Sequence, residues 1–265
     1  PQAVLAWLLV SRVDILEKIK KDDPAIATAE INTAFTELKS FDKKVLAPYV
    51  LARIGGFLGM SSPAQSVPWF NEIVERPGVE AKDFAYNALS KIYLNGSDRS
   101  KDELALKNID WVLQNTGDKR IAGESAYERA SYYSKKQDWL KAEEMWFKFI
   151  ENKKWAGNNS PEAWYLLGKA RDEQGKLPEA LNAYANVFGK YSSRIKYAIP
   201  AVARATEIQY ERGKQKEAYE LAMRSGFKWA LYFDQFPTEY ETLRQIYIAV
   251  EKDFRKKTDK DPFTN

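Results

Sequence analysis

The sequence predicts an all-α protein, an α-α superhelix of about seven stacked helix pairs. Three observations carry this. Apolar residues recur at i, i+3, i+4 and i+7 along nearly the whole chain, and alternating runs of Val, Ile and Thr are rare. Turn-forming clusters punctuate the chain regularly and leave segments of roughly 12 to 18 residues, the size of ordinary globular helices. One turn residue also recurs at a fixed offset, since Gln137, Gly175 and Gly213 stand 38 residues apart.

Thirteen helices follow in order. The first is expected near 2–20, stopped by Asp22-Asp23-Pro24, and the second near 24–39. Helices near 43–59 and 64–76 are divided by Ser61-Ser62-Pro63, and Arg76-Pro77-Gly78 closes the second of them. Those near 80–94 and 101–115 are parted by Asn95-Gly96-Ser97. Thr116-Gly117-Asp118 opens the next, near 119–136. Helices near 138–153 and 161–174 flank Gly157-Asn158-Asn159-Ser160-Pro161. Those near 177–190, 195–212 and 214–225 follow, and Gln235-Phe236-Pro237 precedes the last, near 238–257. The chain therefore reads as degenerate helical repeats over 1–120, three clearer repeats over 121–226, and an aromatic cap with a final helix over 227–265.

The repeat has a physical logic. Each turn residue is followed five positions later by alanine: Ala142, Ala180 and Ala218. A small side chain one turn into the second helix lets two antiparallel helices approach closely. Four residues further stand Trp146, Tyr184 and Ala222, the last of which breaks the pattern. The unit from Pro161 to Ser193 is the clearest, with Trp164, Leu167-Gly168, Gly175, Ala180 and Tyr184 in order. It resembles the tetratricopeptide repeat, with its W-x2-L-G, turn glycine and A-x3-F/Y. It departs at Arg171, where the family usually has Tyr, and at Ser192, where it usually has Pro. The period of 38 exceeds the family's 34, so the connections between repeats are longer. The flanking units keep the turn and the alanine but not the Trp or the Leu-Gly.

Composition constrains function next. The chain has 265 residues, no cysteine and no histidine. That excludes disulfides, Cys nucleophiles, Cys or His metal sites and Ser-His-Asp chemistry. Ser131, Ser134, Ser192 and Ser193 accordingly have no imidazole partner. With 41 Lys+Arg against 37 Asp+Glu, the net charge of +4 is small and the signs are interleaved, which speaks against nucleic acid as a partner. The longest N-terminal apolar run, Ala3 to Val10, is too short to span a bilayer, so membrane contact is expected only indirectly. The chain begins at Pro1 rather than Met, which reads as a product whose start has been removed, with room for a signal sequence upstream.

No catalytic residue, cofactor or metal ligand is expected. Gly55-Gly56-Phe57-Leu58-Gly59 lacks the spacing of a phosphate loop and reads as close helix packing. Glu143-Glu144, Asp172-Glu173 and Asp22-Asp23 are adjacent in sequence, so on a helix they diverge by about 100° and do not converge on one proton or metal. Lys153-Lys154 and Arg255-Lys256-Lys257 are short basic runs, the second complementing a helix C-terminus.

The resemblance implies a concave groove lined by the first helix of each pair, binding another protein or a peptide. Its inward positions map to Glu124, Tyr127, Ser131 and Ser134 in one unit, to Glu162, Tyr165, Lys169 and Asp172 in the next, and to Ala203, Glu207 and Tyr210 after that. Tyrosine suits such a wall because it offers a rigid apolar ring with a hydroxyl. The segment Phe227 to Phe236 has five aromatics and reads as a cap over the last repeat, with a partner-facing patch as the alternative. Pro161 to Met223 also resembles envelope-associated bacterial tetratricopeptide proteins such as the Tol–Pal coordinator, which implies a periplasmic location, with the cytoplasm as the alternative. The leading expectation is a non-catalytic interaction scaffold. The alternative is an α-superhelical glycan-active enzyme, which needs two carboxylates converging in a deep cleft. Self-association as a homodimer through an uncapped end is a further expectation.

Overall fold

The computed structural model describes residues 2–20 and 24–258. The stop at Asp22-Asp23 and the side chains of Arg255 and Lys257 lie outside the described residues. Among the described residues the chain is all-α: α1 (Gln2–Ile19), α2 (Pro24–Leu38), α3 (Pro48–Ser61), α4 (Pro63–Glu75), α5 (Lys82–Asn95), α6 (Asp102–Asn115), α7 (Lys119–Lys135), α8 (Trp139–Glu151), α9 (Lys153–Ala156), α10 (Ser160–Asp172), α11 (Leu177–Lys190), α12 (Ile195–Glu211), α13 (Gln215–Trp229) and α14 (Pro237–Thr258). Helices that neighbour in sequence pack as antiparallel pairs, the helical-repeat fold that the periodicity predicts.

Two boundaries differ from expectation, each for a local reason. The helix expected near 43–59 begins only at Pro48, because a proline has no N–H to donate and starts a helix far better than it continues one. Residues Lys43–Val45 form a single 3-10 turn instead, capped by the Asp42 side chain. Arg76, at the end of α4, holds that turn by donating to the Leu46 and Lys43 carbonyls at 2.5 and 2.7 Å. The helix expected near 214–225 runs on to Trp229, and Ala230–Gln235 then coil as a 3-10 turn.

The chain divides into two compact units, Pro1–Arg129 and Ala130–Asn265. In the first, α1 to α5 share one apolar core built on Val10, Val13, Phe35, Leu38, Leu51, Ile54, Phe70, Ile73 and Leu89. Within it α3 and α4 cross at Gly55, where a methyl group would stand 2.7 Å from the Phe70 ring. Close packing, not phosphate binding, thus accounts for that glycine. In the second unit α10 and α11 cross in the same way, and a methyl group on Gly168 would stand 2.6 Å from the Tyr184 ring.

The three turn residues of the 38-residue period all take left-handed backbone: Gln137 at φ 58°, Gly175 at 73° and Gly213 at 73°. Each closes the preceding helix with the same pair of hydrogen bonds. Asp138, Lys176 and Lys214 donate their N–H groups to the carbonyls of Tyr133, Arg171 and Gln209, and Gln137, Gly175 and Gly213 donate to Ser134, Asp172 and Tyr210. Ala142, Ala180 and Ala218 are fully buried at the crossings that follow.

Candidate functional site

The site lies in the second unit and is built by α10, α11, α12 and the first turns of α14. Five of the sequence-derived positions, Tyr165, Lys169, Asp172, Ala203 and Glu207, line one pocket of about 290 Å³ together with Tyr184, Arg204 and Glu239. Helical spacing explains the first three. Residues 165, 169 and 172 stand four and three apart on α10, so one face presents all of them. Glu207 and Arg204 are three apart on α12 and share a face in the same way.

Arg204 organises the polar floor. Its Nε and Nη2 donate to the two carboxylate oxygens of Asp172 at 2.7 and 3.0 Å, a bidentate pair. Its Nη1 reaches Glu207 at 3.0 Å and Glu211 at 3.2 Å. Hydrogen bonding to Asp172 holds the guanidinium pKa above its ordinary value. Asp172 exposes 13% of its side chain and Arg204 33%, so the carboxylate is the more shielded partner. The Tyr184 hydroxyl lies 3.4 Å from Asp172. The Tyr165 ring stands 5.9 Å from that of Tyr184 and 6.1 Å from that of Tyr197. Burial raises the Tyr165 pKa, and the charges of Glu239 and Asp172 add to the effect. Burial, then Asp172, raises Tyr184 further. The Lys169 ammonium is 5.7 Å from the centre of the Trp139 ring.

The pocket's ionisable lining is four carboxylates (Asp172, Glu173, Glu207 and Glu239) against two cations (Lys169 and Arg204). Its surface is therefore net negative beneath aromatic rings. Both oxygens of Asp172 accept from the guanidinium. Among the described residues no group of three or more carboxylates is placed to hold a metal ion.

The remaining sequence-derived positions lie elsewhere. Glu124 is an acceptor in an ionic cluster, taking hydrogen bonds from Lys91 at 2.5 Å, Asn87 at 2.9 Å and Arg120 at 2.7 Å. Burial alone would raise its pKa, but the bonds from Lys91 and Asn87 outweigh it and hold the carboxyl below its ordinary value. Tyr127 and Ser131 are half-buried on α7, and Glu162 is half-buried on the first turn of α10. Tyr210 packs beside the Ala218, Tyr219, Ile246 and Val250 cluster. Ser134 accepts the indole N–H of Trp146 at 2.8 Å.

Sequence spacing missed Tyr184, Arg204 and Glu239. Tyr184 was read only as a packing residue, although its ring edge and hydroxyl reach the pocket. Arg204 adjoins Ala203, and a count in whole-repeat steps falls one residue short of it. Glu239 comes from α14, outside the repeats, and no repeat rule reaches that helix.

The aromatic segment both caps and projects. Trp229 and Phe233 are buried with Ile199, Val202 and Leu243, and the Trp229 indole donates to the Ser192 carbonyl at 3.2 Å. Phe227 and Leu231 are 84% and 91% exposed. A second, apolar pocket of about 450 Å³ lies beside them, lined by Met223, Phe227, Phe233, Tyr240, Leu243 and Tyr247.

No protein-family model matches the chain, and no curated protein matches it. Among solved structures, the chain is similar to an assembly chaperone of RpL4 (Acl4), with 14% identity over 96% of this chain and 98% of that one, at a TM-score of 0.45. It is also similar to the TPR domain of P58(IPK), with 11% identity over 98% of this chain and 78% of that one, at a TM-score of 0.38. At these TM-scores the fold assignment rests on the helix pairs described above.

Proposed function

We propose that the protein is a non-catalytic interaction scaffold and that the pocket on α10, α12 and α14 receives a positively charged side chain from a partner protein or peptide. The observation that carries this is the convergence of Tyr165, Lys169, Asp172 and Glu207, chosen by repeat position alone, on one net-negative pocket under two tyrosine rings. A lysine or arginine entering it would meet Glu239 and Glu173 as charge partners and the ring of Tyr165 as an apolar and cation–π surface. The glycan-active reading needs a carboxylate free to donate a proton beside a second one. Asp172 and Glu207 are instead both bonded to Arg204. The resemblance to envelope-associated repeat proteins makes the periplasm the first compartment to examine, by cell fractionation.

The test is a binding titration with fluorescent peptides that differ only in charge. Lys- or Arg-bearing peptides should bind and weaken as salt rises. Glu239→Gln, which leaves the Arg204 network intact, should weaken them roughly tenfold. Equal binding of acidic and basic peptides, or indifference to Glu239→Gln, would overturn the reading.

A further inference from the structure

We infer that the groove between α11 and α13 is a docking site for an extended segment of a partner protein, one that carries a basic, an apolar and an acidic residue at alternate positions. The groove is a product of the 38-residue period. α11 and α13 both pack on α12 and run antiparallel to it, so they run parallel to each other with α12 as the base between them. Leu181 and Phe188 of α11, Ala205 of α12 and Leu221 of α13 floor a groove of about 720 Å³. Leu181, Phe188 and Leu221 are half-buried against the core around Val187 and Ile208, so the floor is apolar and held from below. The lining runs from Leu181 to Arg224, with described helices before and after it in sequence, so neither end of the chain forms part of it.

The walls give this groove a direction. Glu217, in the first turn of α13, stands at one end, and Lys190, in the last turn of α11, stands at the other. By the 38-residue period Glu217 is level with Glu179 of α11, eleven residues before Lys190. At 1.5 Å per residue the two charges are separated by about 16 Å along the helix axes. Between them Glu220 and Arg224 pair on α13 at 3.7 Å and answer each other. Among the described residues neither Glu217 nor Lys190 makes an ion pair, so the groove ends in one unanswered negative charge and one unanswered positive charge.

Span, charge and wall chemistry together select an extended peptide. Such a chain rises about 3.3 Å per residue, so roughly five residues, with the reach of their side chains, cover the span. Alternate residues of an extended chain share one side, so the first, third and fifth face the floor together. A basic residue then meets Glu217, an apolar one rests on Phe188 and Leu221, and an acidic one meets Lys190. The α11 wall suits the backbone of that chain. Asn182 and Asn186 are one turn apart, about 6 Å along the axis, close to the two-residue repeat of about 6.6 Å in an extended chain. The Asn186 amide donates to the Asn182 side-chain oxygen at 3.1 Å and to its backbone carbonyl at 3.0 Å. That leaves the Asn182 amide N–H and the Asn186 side-chain carbonyl to pair with peptide C=O and N–H groups. Gly189 has open space where a side chain would stand, which keeps this wall low beside Phe188.

The probes are acetylated and amidated peptides, titrated by calorimetry into the full chain at low salt. Lys-Ser-Leu-Ser-Glu should bind roughly tenfold more tightly than Ser-Lys-Leu-Glu-Ser, which has the same composition with its charges turned to the other side. Lys190→Glu makes both ends of the groove acidic and should transfer the preference to Lys-Ser-Leu-Ser-Lys. Glu217→Lys should transfer it to Glu-Ser-Leu-Ser-Glu. A merely structural role for either residue would lower binding without redirecting it. Gly189→Leu, which fills the groove beside Phe188, should abolish binding while circular dichroism stays unchanged. Glu239→Gln lies outside this groove and should have no effect, so failure here and failure of the acidic pocket are told apart. No binding of Lys-Ser-Leu-Ser-Glu, equal binding of the composition-matched pair, no redirection by Lys190→Glu, or a chain dimer that Gly189→Leu abolishes would each overturn the proposal.

Discussion

Two helix crossings, one in each unit, solve the same packing problem with different chemistry. At Gly55 a glycine on α3 receives the ring of Phe70, fifteen residues later on α4. At Gly168 a glycine on α10 receives the ring of Tyr184, sixteen residues later on α11. Only the second carries the Trp and Leu-Gly pattern of a recognisable repeat. A missing Cβ opposite an aromatic ring thus serves the crossing with or without the rest of the pattern. What separates the two is a hydroxyl. Phe70 ends in the core, with its edge against Phe84 at 5.9 Å between centroids. Tyr184 carries its oxygen through the crossing to Asp172 and so joins the packing of the pair to the polar floor of the pocket.

The largest effect expected from this comparison is at the glycines. Gly55→Ala and Gly168→Ala should each destabilise by about 2–3 kcal/mol in chemical denaturation, because the methyl overlaps a buried ring and overpacking costs that much. Gly189→Ala, on α11 with open space around it, should instead be neutral or stabilise by up to about 1 kcal/mol. If the three variants behaved alike, ring contact would not be what holds the pairs together.

Exchanging the rings comes next. Phe70→Tyr places a hydroxyl in an apolar core and should cost about 1–3 kcal/mol. Tyr184→Phe keeps the packing and loses a long hydrogen bond, so it should cost less than about 1 kcal/mol while altering peptide binding. Equal stability losses at both sites would remove the distinction.

Acid should report on the ionic cluster around Glu143 in the second unit, as it should on that around Glu124 in the first. Burial would raise the Glu143 pKa, but hydrogen bonds from Lys176, Arg171 and Gln174 hold it below its ordinary value. A carboxyl depressed in the folded state contributes stability in full above its unfolded pKa of about 4.3 and loses it as pH falls through the folded value. Thermal stability of the native chain should therefore decline as pH drops below about 4, and Glu143→Gln should flatten that limb. An unchanged acid limb would assign the decline to other carboxylates. The smallest effect is at the turns. Gln137→Gly should raise stability by up to about 1 kcal/mol, since glycine adopts φ 58° without a Cβ clash, and Gly175→Ala should lower it by about as much.

Much of this architecture could be read from residue order. Gln137, Gly175 and Gly213 mark the turns because left-handed backbone is a local property, and Ala142, Ala180 and Ala218 mark crossings because their size is. Helix ends set by proline were legible where the proline closed an expected boundary. They were missed at Pro48, where it lay inside a run with helical periodicity. The pocket was half legible. Tyr165, Lys169 and Asp172 follow from one helix face, whereas Glu239 depends on where α14 is carried after the repeats end, which no spacing encodes. The groove between α11 and α13 was missed because its two end charges stand on different helices, one repeat apart.

The three identical turns have a consequence for how the chain reaches its fold. Each joins helices that meet only a few residues apart along the chain, so closing a pair costs little loop entropy. Contacts of this kind give low contact order, which spares the chain the slow search that distant strand pairing imposes. A pair can nucleate at any of the three turns and extend to its neighbour, so assembly has several equivalent starting points. Gln137 is the one turn that must strain a side chain to begin.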